Sequence, residues 1–268
     1  MTRQPPHASG LPDDGRLPGE EVHFVRRARP RAWLPFLVTV ALGVALLVWC
    51  VVALPGLPER VPTHWGPSGE PDAWSDKSLG AVAMGPLIGL GTAAFMALVA
   101  AMLPKMTPAA EGRSGWARVR GHGMHFGMVG ALGWISLLTL LCTAPTTVQM
   151  LLGDTVALPW WLMPLVVTVV MVGVFAVLSL SMRRWHRWSE ETATALGYHA
   201  TAEEERWTPT GMKNDPDDPN IMVNKREGYG VGATVNIGSR GGRLLYRGFL
   251  ALFAAGLPAI LWITAWPG

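Results

Sequence analysis

The chain has 268 residues, half of them hydrophobic and only 15% charged, with a positive mean hydropathy of +0.27. Soluble domains carry about 25% charged residues. The composition therefore excludes a disordered chain, argues against an ordinary soluble globule, and points to a polytopic membrane protein. The net charge of +3 would indicate nucleic-acid binding only if the basic residues gathered into a patch.

Residues 1–22 are rich in Pro, Gly and Asp and lack periodicity, which reads as a disordered arm. With Arg26, Arg27, Arg29 and Arg31, residues 1–31 form an expected disordered basic cytoplasmic arm. The apolar run Ala32–Leu54 exceeds the 7–15 residues of a signal h-region, and no small-x-small cleavage site follows it. It reads as an uncleaved first span. Four more runs reach the roughly 20 residues that cross a bilayer core: Leu79–Leu103, Phe126–Thr146, Trp160–Met182 and Gly248–Trp266. All four lack Asp, Glu, Lys, Arg and His. Trp33, Trp160, Trp161, Trp185, Trp188, Trp262 and Trp266 fall near the expected interfaces, where amphipathic indoles prefer to sit.

The expected fold is an all-α polytopic membrane protein with five transmembrane helices. A two-helix unit occupies 32–105 with an extracellular Pro/Trp loop at 55–78, and spans three and four lie within 106–182. A small cytoplasmic helix-plus-β-hairpin insertion at 183–247 precedes the last span at 248–268. Cys50 and Cys142 both sit in apolar runs, as small apolar side chains packed between helices. That excludes a disulfide framework or a Cys-x-x-Cys zinc site.

Segments 55–78 and 147–159 contain only Arg60 and Lys77, and the other 20 of the 22 basic residues lie in the arm, in 104–125 and in 183–247. Short-loop Lys and Arg stay in the cytoplasm, so the N-terminus is expected inside and the C-terminus outside. The basic excess is topological, and no nucleic-acid partner is expected. Gly85 and Gly89 in span two, and Gly123, Gly127, Gly130 and Gly133 in span three, suggest close packing of this pair. Pro86 is expected to kink span two.

The loop Leu57–Lys77 holds four prolines, two glycines and two tryptophans, a locally rigid, turn-rich composition. His64, Glu70, Asp72 and Asp76 are ligand types suited to a cation, but their spacing matches no metal motif. The expected arrangement is instead a His64–Asp72 or His64–backbone hydrogen bond that shapes the loop and presents Trp65 and Trp74 at the membrane surface. The candidate functional residues here are Pro62, Thr63, His64, Trp65, Gly69, Asp72 and Trp74.

The string Leu-Pro-x-x-x-Pro-Thr-His-Trp-x-x-x-Gly-x-x-Asp from Leu57 to Asp72, followed by Lys77 and a new span, resembles the SdpI-related family, domain of unknown function 1648, over roughly residues 35–105. The resemblance implies a bacterial integral membrane protein. The family's named member protects the cell from a secreted peptide toxin and holds a repressor at the membrane. This chain departs from that member by inserting a cytoplasmic segment of about 60 residues before its last span, so the immunity role is carried only by analogy.

That segment opens with Arg183-Arg184-Trp185-His186-Arg187-Trp188. Trp185, Trp188, Thr192, Leu196 and His199 recur on one helical face. A basic, Trp-bearing start suggests a helix lying along the inner interface, its Lys and Arg facing anionic lipid. Glu203, Glu204 and Glu205 read as a solvated acidic patch. His186 and His199 lack the spacing of a helical zinc pair. Residues 221–224 and 231–237 flank a Gly-rich turn and read as a hairpin. Asn214-x-x-Asp217-Asp218-Pro219, Val223-x-Lys225-Arg226 and Thr234-x-Asn236 resemble a second small family, domain of unknown function 5808. Arg183, Arg184, Arg187, Asp217, Asp218, Lys225 and Arg226 are the candidate interaction residues on this side.

Asp215, Asp217 and Asp218 do not open a calcium loop, because the sixth-position Gly is missing and Arg226 stands at position twelve. Gly228–Gly232 is not a dinucleotide fingerprint, and no nucleophile elbow or helical His-Glu-x-x-His pair occurs. The spans carry no ionisable group of the kind that ion-coupled transport uses. These observations suggest a non-enzymatic protein of sensing, toxin immunity or envelope signalling that needs no cofactor. Its expected partners are the lipid bilayer, an extracellular peptide or lipid, and a cytoplasmic protein. The alternatives are a metal-dependent membrane enzyme using His64, Glu70 and Asp72, or a transporter component.

Overall fold

The computed structural model describes residues 19–66, 70–106, 114–152, 159–225 and 232–265. Long uncharged apolar runs satisfy their backbone groups internally only as helices, and among the described residues five helices are long and apolar enough to cross a membrane. The elements in chain order are α1 (Gly19–Ala53), β1 (Arg60–Trp65), β2 (Pro71–Asp76), α2 (Leu79–Val82), α3 (Met84–Met106), α4 (Gly115–Leu152), α5 (Leu162–Ala195), α6 (Ala202–Glu205), β3 (Met222–Asn224), β4 (Ala233–Val235), α7 (Arg240–Ala251) and α8 (Leu257–Ala265). A π-helical turn, Leu252–Gly256, joins α7 to α8. The chain is an all-α polytopic membrane protein carrying two small antiparallel hairpins.

Its contacts separate into two compact units. One comprises Met1–Ala32, Met102–Met128 and Leu180–Leu244; the other comprises Trp33–Ala101, Val129–Ser179 and Leu245–Gly268.

Small residues set the helix spacing in the second unit. A Cβ on Gly85 would collide with Thr147, and one on Gly89 would lie 2.6 Å from Leu140 Cδ1. The Gly85/Gly89 stripe of α3 therefore packs on α4, as its spacing suggested. The glycines of α4 face elsewhere. Gly133 abuts Pro35 and Phe36 of α1. Within the first unit, Gly123 and Gly127 abut Trp185, Ser189 and Met182 of α5, and the Ser181 hydroxyl donates to the Gly127 carbonyl at 2.7 Å. The proline in span two acts through a break rather than a kink at its own position. Pro86 has no N–H for the Val82 carbonyl, so helix α2 stops at Val82 and α3 restarts after Ala83 (φ −92°, ψ 6°). The freed Val82 carbonyl accepts the Cys50 thiol at 3.5 Å.

Four local expectations are corrected. The helix of the first span begins at Gly19, so residues 19–31 are helical rather than disordered; Glu20 and Glu21 in its first turn suit the positive end of the helix dipole. The Pro/Trp loop forms strands β1 and β2. Glu204 is buried, and its carboxylate closes a capping box with Thr201, so the Glu203–Glu205 run is not a uniformly solvated patch. The segment Arg183–Trp188 continues α5 without interruption instead of branching along an interface. Trp185 is only 5% exposed, its ring 5.1 Å from that of Phe126, because an indole packed on an aromatic neighbour buries more surface than one laid on lipid headgroups.

Candidate functional site

The hairpin between the first two spans is built on its apolar base. Leu57 and Val61 are buried in a cluster with Cys50, Val82, Ala83, Met150 and Leu151. Lys77 ties the two arms together. Its backbone N–H donates to the Glu59 carbonyl at 2.7 Å, while Nζ donates to the Leu57 carbonyl at 3.0 Å and pairs with Glu59 at 3.2 Å. Each strand of a two-stranded ribbon has a free edge, which lets Pro62 and Pro71 sit in it.

The register runs Arg60↔Asp76, Val61↔Ser75, Pro62↔Trp74, then shifts to His64↔Ala73 and Trp65↔Pro71. Thr63 and Asp72 are therefore extra residues, one on each strand, and bulges of this kind re-aim neighbouring side chains. Here they accompany a His64 Nδ1–Asp72 Oδ1 contact of 2.5 Å. An ionised carboxylate only accepts, so paired with one the imidazole Nδ1–H is the donor. Both side chains are more than half exposed. The Gly66 N–H donates to the Glu70 carbonyl at 2.9 Å and closes the turn. Trp74 is exposed, whereas Trp65 is half-buried and packs on the apolar base. Gly69 lies outside the described residues. Among the described residues, no group of three or more His, Cys, Asp or Glu is placed to hold a metal ion.

In the first unit the structure uses several residues that sequence reasoning passed over. Arg118 of α4 makes a two-pronged ion pair with Glu21 of α1, through Nη2 at 2.6 Å and Nε at 3.3 Å. The Tyr198 hydroxyl donates to the same carboxylate at 2.8 Å. Arg120 donates to the Trp207 and Thr208 carbonyls, both at 2.8 Å, and lies 2.9 Å from His186 Nδ1. The only sequence signal was four ionisable residues, Arg118, Arg120, His122 and His125, on the helical approach to an apolar run.

The Asp-rich segment is a structural cradle. Asn236 is fully buried, and its side chain makes four hydrogen bonds. Its Oδ1 accepts from the Asp215 and Gly238 amides, and its Nδ2 donates to the Asp215 and Asp218 carbonyls. Lys213 bridges Asp218 at 3.0 Å and Asp215 at 3.2 Å, and Arg206 reaches Asp215 at 2.9 Å. Burial opposes ionisation of Asp215, but Lys213, the Asp217 amide and Arg206 outweigh it and hold the carboxyl below the usual range. The Asn220 amide and Lys213 do the same for Asp218. Asp218 thus serves the internal scaffold. Asp217, Lys225, Arg183, Arg184 and Arg187 are exposed, and Arg226 lies outside the described residues.

The family described as Domain of unknown function (DUF1648) matches residues 41–90. That stretch runs from the second half of α1 through the whole hairpin into α3. Neither a curated protein nor a solved structure matches the chain.

Proposed function

We propose that this is a non-enzymatic bacterial membrane protein of SdpI-like type, acting in sensing, toxin immunity or envelope signalling through the 60–76 hairpin. The supporting observation is the His64–Asp72 contact inside the family-matched segment. It links the exposed outer parts of two strands whose base is buried, a scaffolded surface of the kind recognition uses. With basic residues retained in the cytoplasm, the hairpin faces outward, where it meets an extracellular peptide or lipid. Residues 183–247, which resemble the second small family, face inward and meet a cytoplasmic protein. The exposed Arg183, Arg184, Arg187, Asp217 and Lys225 are the contacts available for that partner.

The test is genetic. A strain lacking the gene is challenged with membrane-active peptides and envelope stress, then complemented with wild type, His64→Ala or Asp72→Asn. Both variants are expected to reach the membrane at wild-type levels, since neither position lies in a span, yet to lose most of the rescue. Wild-type rescue by both would reduce the hairpin to a connector.

A further inference from the structure

Helix α7 carries Arg240, Arg243 and Arg247 and no acidic residue. It leads through the π-helical turn into α8, and together they form the last candidate span, Arg240–Thr264. Within the first unit, the N-terminal end of α7 meets the start of strand β3. A Cβ on Gly241 would lie 2.7 Å from both Cδ1 and Cγ1 of Ile221, so glycine at this position is what lets Ile221 rest on the helix. Ile221, Met222 and Leu244 are nevertheless 44%, 52% and 75% exposed. At about 100° per residue, Leu244 falls between Gly241 and Arg240 around the helix. Ile221, Leu244 and Arg240 therefore follow one another on a single face, with Arg243 beyond them.

The charges on this face lack a counter-charge. Arg240 and Arg243 are exposed and make no ion pair or side-chain hydrogen bond among the described residues. In the segment leading to β3, Asp215 and Asp218 are held by Lys213 and Arg206, which leaves Asp217 alone against the two guanidiniums.

Depth selects the occupant. The uncharged apolar run begins at Gly248, four residues after Leu244. Four helical residues rise about 6 Å, and the headgroup layer on each side of the hydrocarbon is about 5–8 Å deep. With the run entering the hydrocarbon at Gly248, Leu244 lies at headgroup depth. There an apolar side chain reaches the acyl boundary and an arginine reaches phosphate. A soluble protein would have to displace those headgroups to cover the same face.

We infer that the face formed by Ile221, Met222, Leu244, Arg240 and Arg243 docks on anionic phospholipid. The apolar side chains enter the acyl boundary, and the two guanidiniums take lipid phosphates. This anchors the start of the β3–β4 hairpin on the membrane surface, whatever the 60–76 hairpin binds.

The test uses the full chain, labelled with ¹³C at its methionine methyls, one copy per lipid nanodisc. The Met222 resonance is assigned by its loss in Met222→Leu. The discs hold phosphatidylcholine alone or with about one-third phosphatidylglycerol. Paramagnetic broadening is read from a nitroxide near the top of a lipid acyl chain and, separately, from a water-soluble nitroxide. In the anionic discs the lipid-borne label is expected to broaden Met222 strongly and the soluble label weakly. Each arginine near an anionic surface contributes about fivefold to docking. The Arg240→Gln/Arg243→Gln double variant should therefore lower the docked-to-undocked ratio about thirtyfold and reverse the two effects. Both positions are exposed, so the variant keeps its fold. Wild type in phosphatidylcholine alone should resemble the variant, and Leu244→Ser should also weaken docking.

Stronger broadening by the soluble label than by the lipid-borne one in the anionic discs overturns the proposal. So does lipid-borne broadening that neither the arginine pair nor the anionic lipid alters. Protection from both labels would place a protein surface over the patch and overturn it as well.

Discussion

Asp215 and Asp218 share the ammonium of Lys213, so the cradle around Asn236 is held by charges whose ionisation is linked to folding. Both carboxyls titrate below the usual range in the folded chain, while the unfolded chain titrates near about 4. Their contribution is complete above the unfolded value and is lost as pH falls through the depressed folded values. Lys213 is shifted up, chiefly by its bond to Asp218, so its contribution is complete below the ordinary lysine range and is lost at higher pH as it deprotonates. Residues 206–240 are therefore expected to resist pepsin at pH 5 and to become cleavable as the pH is stepped down from about 4. Asp218→Asn should flatten that dependence. Equal cleavage across the series in wild type would contradict the assignment.

At the scale of elements, one contact distinguishes two glycines of the same helix. Gly85 has no room for a Cβ against Thr147, whereas Gly91 meets nothing within 4 Å. Gly85→Leu should destabilise the α3–α4 pair by at least the 1–3 kcal/mol typical of overpacking, about 3 kcal/mol or more given the clash. Gly91→Ala should be neutral or favourable by less than about 1 kcal/mol, because it only relieves helix-propensity cost. Unfolding midpoints in detergent micelles check both, and equal midpoints would show that close packing does not set this pair.

For the whole molecule, the partition of basic residues predicts five crossings with the N-terminus inside. Reporter fusions in the 60–76 hairpin and after Thr264 should read as external, and fusions after Arg113 and after Gly211 as cytoplasmic. A cytoplasmic signal from the hairpin fusion would reverse the orientation and remove the external ligand from the proposal.

The sequence by itself determined the number and approximate place of the spans, because a run of about 20 uncharged apolar residues has few alternatives to a spanning helix. It also determined the Gly85/Gly89 contact, which follows from residue size at helical spacing, and it singled out His64 and Asp72 as a pair from their complementary hydrogen-bonding chemistry. Tertiary structure decided the rest. Strands β1 and β2 were hidden because prolines and glycines mark turns by local propensity, and pairing across a double bulge is not a local property. Glu21, Arg118 and Tyr198 were silent because their partners lie 97 and 177 residues away along the chain.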